Sequence, residues 1–217
     1  MQYLWYIPVI LISYLLGSSN LAYFMAKAKD IDLRSGGSGN LGTANATFMM
    51  GAKAGALTLL HDVAKSAIPI LLSQHFLGDK LPFVGAVAGT SAIIGHMYPF
   101  YLKFKGGKGL ASLLGAALAL DWRIFVGAFL LLAAVTLITD YIAPGTISVS
   151  IGIPVAVGII QKSWIPAAIL FISTGIIISK HIVNIRRIFE GTEIGLRSSS
   201  STRYSRRKGQ EPGRKTE

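Results

Sequence analysis

Charged side chains interrupt this chain rarely, and the stretches between them predict its architecture. No charged side chain precedes Lys27, and residues 4–26 form an uncharged run of 23 residues. At about 1.5 Å per residue such a helix crosses a hydrocarbon core roughly 30 Å thick. A cleavable signal peptide would need a basic start and a shorter apolar run, and neither is present. Further uncharged runs cover residues 66–78, 81–102, 109–120, 124–139, 141–161 and 163–179. The second helix is expected to start near Ala54 and to carry His61, Asp62 and Lys65 within it. Residues 109–139 read as two helices rather than one, because Asp121-Trp122-Arg123 at the centre of a single span would be costly in lipid. The first of that pair is too short to cross alone, so it must borrow from the preceding loop or sit inside a bundle. The fold class that follows is an all-α integral membrane protein with seven transmembrane helices.

Composition agrees with that class. Of the 217 residues 52% are hydrophobic and 14% charged, against roughly a quarter charged in soluble proteins. The chain has no Cys, which excludes disulfides, thiolate metal ligands and a thiol nucleophile. Lys and Arg outnumber Asp and Glu, 21 to 10, and their placement orients the chain. Seven spans put 17 basic residues on one side and only Lys80, Arg123 and Lys162 on the other. The basic side is cytoplasmic by the positive-inside rule, which places the N-terminus outside and the C-terminus inside. Six spans would carry the ten basic residues from Lys180 onward across the membrane.

The expected domains are a membrane domain over 1–196 and a basic tail over 197–217. The tail is rich in Ser, Arg and Lys, lacks an apolar period, and is expected to be disordered. Anionic headgroups, RNA or no partner at all each fit such a tail. Tethering at a negatively charged leaflet favours the lipid, and nucleic acid is not the expected partner.

The predicted cytoplasmic side also collects the chemistry. IDLRSGGSGNLGTANATF, residues 31–48, combines four Gly with Ser, Thr and Asn, the composition of an anion cradle as well as of a flexible connector. FKGGKG, residues 104–109, precedes an apolar helix and resembles a phosphate-binding turn, although it lacks the Walker A pattern. At the end of the last apolar run, His181 and Asn184 lie three apart and share a helix face. Asp62 and Lys65, also three apart, read as an ion pair tucked into the bundle, and His96 as a bundle histidine or a site residue. No His begins the His-x4-Asp acyltransferase motif. The composite calls for an anionic, phosphorylated substrate met at headgroup level. A transporter would instead need polar groups near the midplane and broken, pseudo-symmetric helices.

GSGNLGTAN at 37–45, DVAKS at 62–66, GHMYPFYLKFKGGKGLA at 95–111 and HIVNIRRIFEGTE at 181–193 together resemble the bacterial acyl-phosphate–glycerol-3-phosphate acyltransferase family of the PlsY type. The resemblance runs over residues 1–196. It implies a multi-pass enzyme of the bacterial cell membrane that performs the first step of phospholipid synthesis. The acyl chain passes from acyl phosphate to the 1-hydroxyl of glycerol 3-phosphate, giving lysophosphatidic acid and phosphate, with no metal, acyl-CoA or other cofactor. By the same resemblance Lys108, His181 and Asn184 are the catalytic candidates. Ser38, Gly39, Asn40, Thr43, Asn45, Lys105, Gly106, Gly107 and Thr146 are the substrate-binding candidates. This chain departs from the family pattern at Phe48 and Ile182, where members carry Arg, and Thr146 alone stands for a Ser-rich turn. The alternative reading is a divergent homologue with an altered acceptor or little activity, acting as a lipid-binding or regulatory membrane protein.

Overall fold

The computed structural model describes residues 1–199, so most of the basic tail lies outside the described residues. After a short 3-10 turn at Gln2–Trp5 come ten helices: α1 Tyr6–Ser18, α2 Leu21–Lys27, α3 Thr43–Met50, α4 Ala52–Leu77, α5 Val84–Met97, α6 Leu110–Leu120, α7 Trp122–Thr139, α8 Ile142–Ile160, α9 Trp164–Phe189 and α10 Leu196–Ser199. Five stretches are long and apolar enough to cross a membrane: Gln2–Lys27, Ala52–Leu77, Trp122–Thr139, Ile142–Ile160 and Trp164–Phe189. Leu60, Leu130 and Ile138 on them are 66%, 62% and 81% exposed. An aqueous surface of that kind would aggregate, whereas lipid is its natural solvent.

The uncharged run at 81–102 predicts a 22-residue span, but its helix, α5, uses only 14 residues. Phe83 enters it with left-handed backbone at φ 61°, and Pro99 follows its end. α5 packs against α1, α4, α6 and α9, and nearly every side chain on it is buried. A helix wrapped in protein need not match the bilayer thickness, because its exposed backbone ends meet other protein. Gly17 on α1 and Gly95 on α5 allow the tightest contact. An added Cβ would lie 2.1 Å from the Ala92 carbonyl oxygen in one case and 2.2 Å from that of Tyr14 in the other. Small residues thus bring the two backbones together.

Residues 109–139 do divide. Asp121 ends α6 and caps α7, its carboxylate accepting the Arg123 N–H at 2.8 Å. The short α6 sits within the bundle, packed on α4 and α7 with Leu113, Gly115, Ala116 and Ala117 buried.

Successive helices run between two ends. The Tyr6 hydroxyl near the start of α1 bonds the Pro82 carbonyl, and Gln74, Phe83, Leu120 and Gln161 border one cleft. That end therefore holds the turns with Lys80, Arg123 and Lys162. At the other end Lys108 meets Asn184, and Arg197 donates its backbone N–H to Asp140 between α7 and α8. This second end carries the glycine-rich loops.

Candidate active site

The first glycine-rich loop is folded around Asn45 of α3, which is 2% exposed. Its amide donates to the Leu33 carbonyl at 2.7 Å and its oxygen accepts the Ser38 N–H at 2.9 Å. The Gly39 N–H is taken by Gly36 O at 3.0 Å. The Asn40 oxygen accepts the Leu41 N–H, and Asn20, at the break between α1 and α2, donates to Leu41 O at 3.1 Å. The amides of Ser38 and Gly39 therefore hold the loop together. What faces outward is the Ser38 side chain, with Asn40 half-buried beside it. The Thr43 hydroxyl is buried with no hydrogen-bond partner among the described residues.

The second loop is a tight return onto the end of α5. Gly106 N–H donates to Met97 O and Gly107 N–H to His96 O, each at 3.1 Å. A Cβ at 106 would lie 2.1 Å from His96 O, and one at 107 would lie 2.1 Å from His96 Nε2. These glycines permit close approach of backbone to α5 rather than aiming their own amides at an anion. Arg34 joins the two loops, its Nη2 donating to Leu102 O at 3.2 Å and Lys105 O at 3.0 Å. The Lys105 side chain is exposed.

Lys108 follows this turn and precedes α6, whose first amides lack acceptors within their own helix. Its ammonium donates to Asn184 Oδ1 at 2.6 Å, and Asn184 Nδ2 donates to Glu193 Oε1 at 2.7 Å. Burial pushes the Lys108 pKa below its usual value; the Glu193 carboxylate opposes that shift, and Arg187 and Lys180 add to it. One turn before Asn184, His181 Nδ1 lies 2.8 Å from Ile177 O. A carbonyl only accepts, so the proton sits on Nδ1 and Nε2 keeps a lone pair. Lys180 Nζ lies over the Tyr98 ring at 4.4 Å. The amides of Thr192 and Glu193 bond Arg187 O, which turns the chain back after α9 and returns Glu193 to Asn184.

The structure thus brings Lys108 and Asn184 together, with His181 on the same face of α9. It turns the Thr146 hydroxyl back on its own helix, where it donates to Ile142 O at 2.9 Å. Sequence reasoning passed over Glu193 and Arg34. The GTE triplet just after α9 is a signal for the first; an Arg between two glycine-rich loops is a faint one for the second.

Below the loops, Asp62 and Lys65 form the expected ion pair at 2.8 Å, with side chains 2% and 3% exposed. Lys65 also donates to Ser19 O at 2.7 Å. His61 Nε2 lies 3.1 Å from Ser19 Oγ, and His96 Nδ1 lies 3.4 Å from Asp62 Oδ1. Phe48 and Ile182 are 48% and 57% exposed.

A family model described as glycerol-3-phosphate acyltransferase matches residues 7–191. The protein of that name from Geobacter sulfurreducens is 36% identical over 182 residues, covering 84% of this chain and 93% of the relative. That from Syntrophotalea carbinolica is 39% identical over 189 residues, covering 85% and 94%. Among solved structures, the integral membrane glycerol 3-phosphate acyltransferase PlsY in its glycerol 3-phosphate form superposes with a TM-score of 0.81 at 31% identity, covering 88% of this chain and 95% of that one. Its lysophosphatidic acid form gives 0.80 at 29% identity, covering 89% and 96%. Matched along nearly the whole length of these relatives in sequence and in fold, this chain belongs to the glycerol-3-phosphate acyltransferase family.

Proposed function

We propose that the protein transfers an acyl chain from acyl phosphate to the 1-hydroxyl of glycerol 3-phosphate, releasing lysophosphatidic acid and inorganic phosphate. The observation that carries this reading is the Lys108–Asn184–Glu193 chain beside His181, in a member of this family. The hydroxyl oxygen attacks the acyl carbon, the bond from that carbon to the phosphate oxygen breaks, and the electron pair leaves with phosphate. Acyl phosphate is a mixed anhydride and already activated, so orientation and charge stabilisation do most of the work. Lys108 and the α6 N-terminus receive the leaving phosphate, with Ser38, Gly39, Asn40, Thr43, Asn45, Lys105, Gly106 and Gly107 shaping the walls. Asn184 orients Lys108, and Thr146 supports the base of the site from α8. The hydroxyl proton passes to His181 Nε2 or to a phosphate oxygen of the substrate.

The reading includes a bacterial cell membrane protein with seven passes, a membrane domain over 1–196 and a basic cytoplasmic tail. The alternation of helix ends and the 17-to-3 split of basic residues support it. Purified protein with palmitoyl phosphate and labelled glycerol 3-phosphate should form lysophosphatidic acid; equal or greater activity with acyl-CoA would refute the donor. Cysteines placed singly at 80 and 203 of this Cys-free chain test the orientation. An impermeant reagent should label the first in intact cells and spare the second.

A further inference from the structure

Beneath the Lys108 turn lies a set of buried charged groups for which acyl transfer has no direct use. The Asp62–Lys65 pair is sealed between α4 and its neighbours, its two side chains 2% and 3% exposed. A buried ion pair is a poor source of stability, because desolvation offsets most of the attraction, and a better means of holding neighbours in one arrangement. Here the neighbours are the parts that carry the site. Lys65 ties the pair to Ser19 O at the break between α1 and α2. Ser112 of α6, one helical turn after Lys108, donates to the Asp62 carbonyl at 3.2 Å. His96 of α5 is 3% exposed. It turns Nδ1 toward the Asp62 carboxylate at 3.4 Å, and its Nε2 lies where a Cβ on Gly107 would come to 2.1 Å. Its own carbonyl accepts the Gly107 N–H.

Lys108 is therefore bracketed. The residue before it rests on the His96 ring, and the residue four after it is bonded to Asp62. We propose that His96, held by the Asp62–Lys65 pair, is a positioning residue that sets the height of the 105–108 turn and so places the Lys108 ammonium against the leaving phosphate. The inference rests on the acyl-transfer reading above. His96 touches the turn and acts through Lys108; it is not itself a catalytic residue.

A double-mutant cycle with Lys108 separates positioning from general structural support. The parent rate with palmitoyl phosphate is measured first, and a folded parent without activity refutes the acyl-transfer reading itself. In an active parent, His96→Leu keeps volume but removes the ring nitrogen that faces the Asp62 carboxylate. It should lower kcat by about tenfold or more, with the glycerol 3-phosphate KM within about twofold. His96→Asn returns an N–H near the Nδ1 position and should recover most of that loss. In a Lys108→Ala background the same His96→Leu change should cost less than about threefold, because residues that act as a unit are not additive. Gly107→Ala presses on the same ring from the loop side and leaves the ion pair intact. It must show the same non-additivity, and it answers the question if His96→Leu fails to fold. Losses that multiply with Lys108→Ala, or a folded His96→Leu with parental kcat, overturn the proposal.

Discussion

Lys108→Ala tests the centre of the mechanism. The substitution removes an ammonium whose Nζ is held 2.6 Å from Asn184 Oδ1 in a half-buried position. Its size depends on the medium. At about 4 Å, a unit charge pair is worth about 1 kcal/mol in bulk water but about 4 kcal/mol at the effective dielectric of a protein surface site. The downward pKa shift of Lys108, caused first by burial, favours the second regime. Removal of one donor to a developing oxyanion costs about 2.7–4 kcal/mol, in agreement with that figure. The expected result is a fall in kcat of roughly 100- to 1000-fold. The glycerol 3-phosphate KM should change far less, because the interaction strengthens as phosphate departs. The assay is initial-rate formation of lysophosphatidic acid by purified protein in lipid, with thermal unfolding as the control for folding. A folded Lys108→Ala enzyme within threefold of the parent would refute the reasoning and leave the turn with a topological role only.

Glu193 fixes which way the Asn184 amide faces, so Glu193→Ala should let it rotate and present N–H groups to the ammonium; a charged hydrogen bond of about 1.5 kcal/mol predicts roughly a tenfold loss of kcat. Glu193→Gln keeps an acceptor and should lose less, and the opposite order, measured by the same rate assay, would contradict the relay. Alkaline pH supplies another check. Burial lowers the Lys108 pKa from its ordinary 10.5, so the protonated form and the activity should decline before pH 10.5 as pH rises. A Lys108→Arg enzyme that retains measurable activity should lack that limb, because guanidinium stays charged; an unchanged limb in the pH–rate profile would assign it elsewhere. Arg installed at 48 and 182 should lower the glycerol 3-phosphate KM by about tenfold for each contact made, since 1.4 kcal/mol is one decade. Both native side chains are partly exposed, so the pair should fold. A stable double variant with unchanged KM would mean that cations already present, such as Lys180 and Arg187, hold the acceptor.

Much of this protein was readable along the chain. Runs without charge mark segments that lipid or protein must cover, and Asp121 divides 109–139 because a carboxylate is better at a helix cap than in hydrocarbon. Asp62–Lys65 and His181–Asn184 follow from helix period alone, and the motifs from GSGNLG to EGTE carry the family. The destinations of the loop amides were not readable. Composition makes 31–48 look like an anion cradle and 104–109 like a phosphate-binding turn, yet the N–H groups of Gly106 and Gly107 bond the end of α5, and those of Ser38 and Gly39 close their own loop. Arg34 on Lys105 and Asp62 facing His96 join segments remote in sequence, and Glu193 reaches Asn184 only because the chain turns back after α9. The shortness of α5 belongs with them, since its length is set by the protein around it. Periodicity and charge are local properties that a solvent selects residue by residue. A hydrogen-bond partner or a close backbone contact depends on what packs across the gap, and only the assembled bundle decides that.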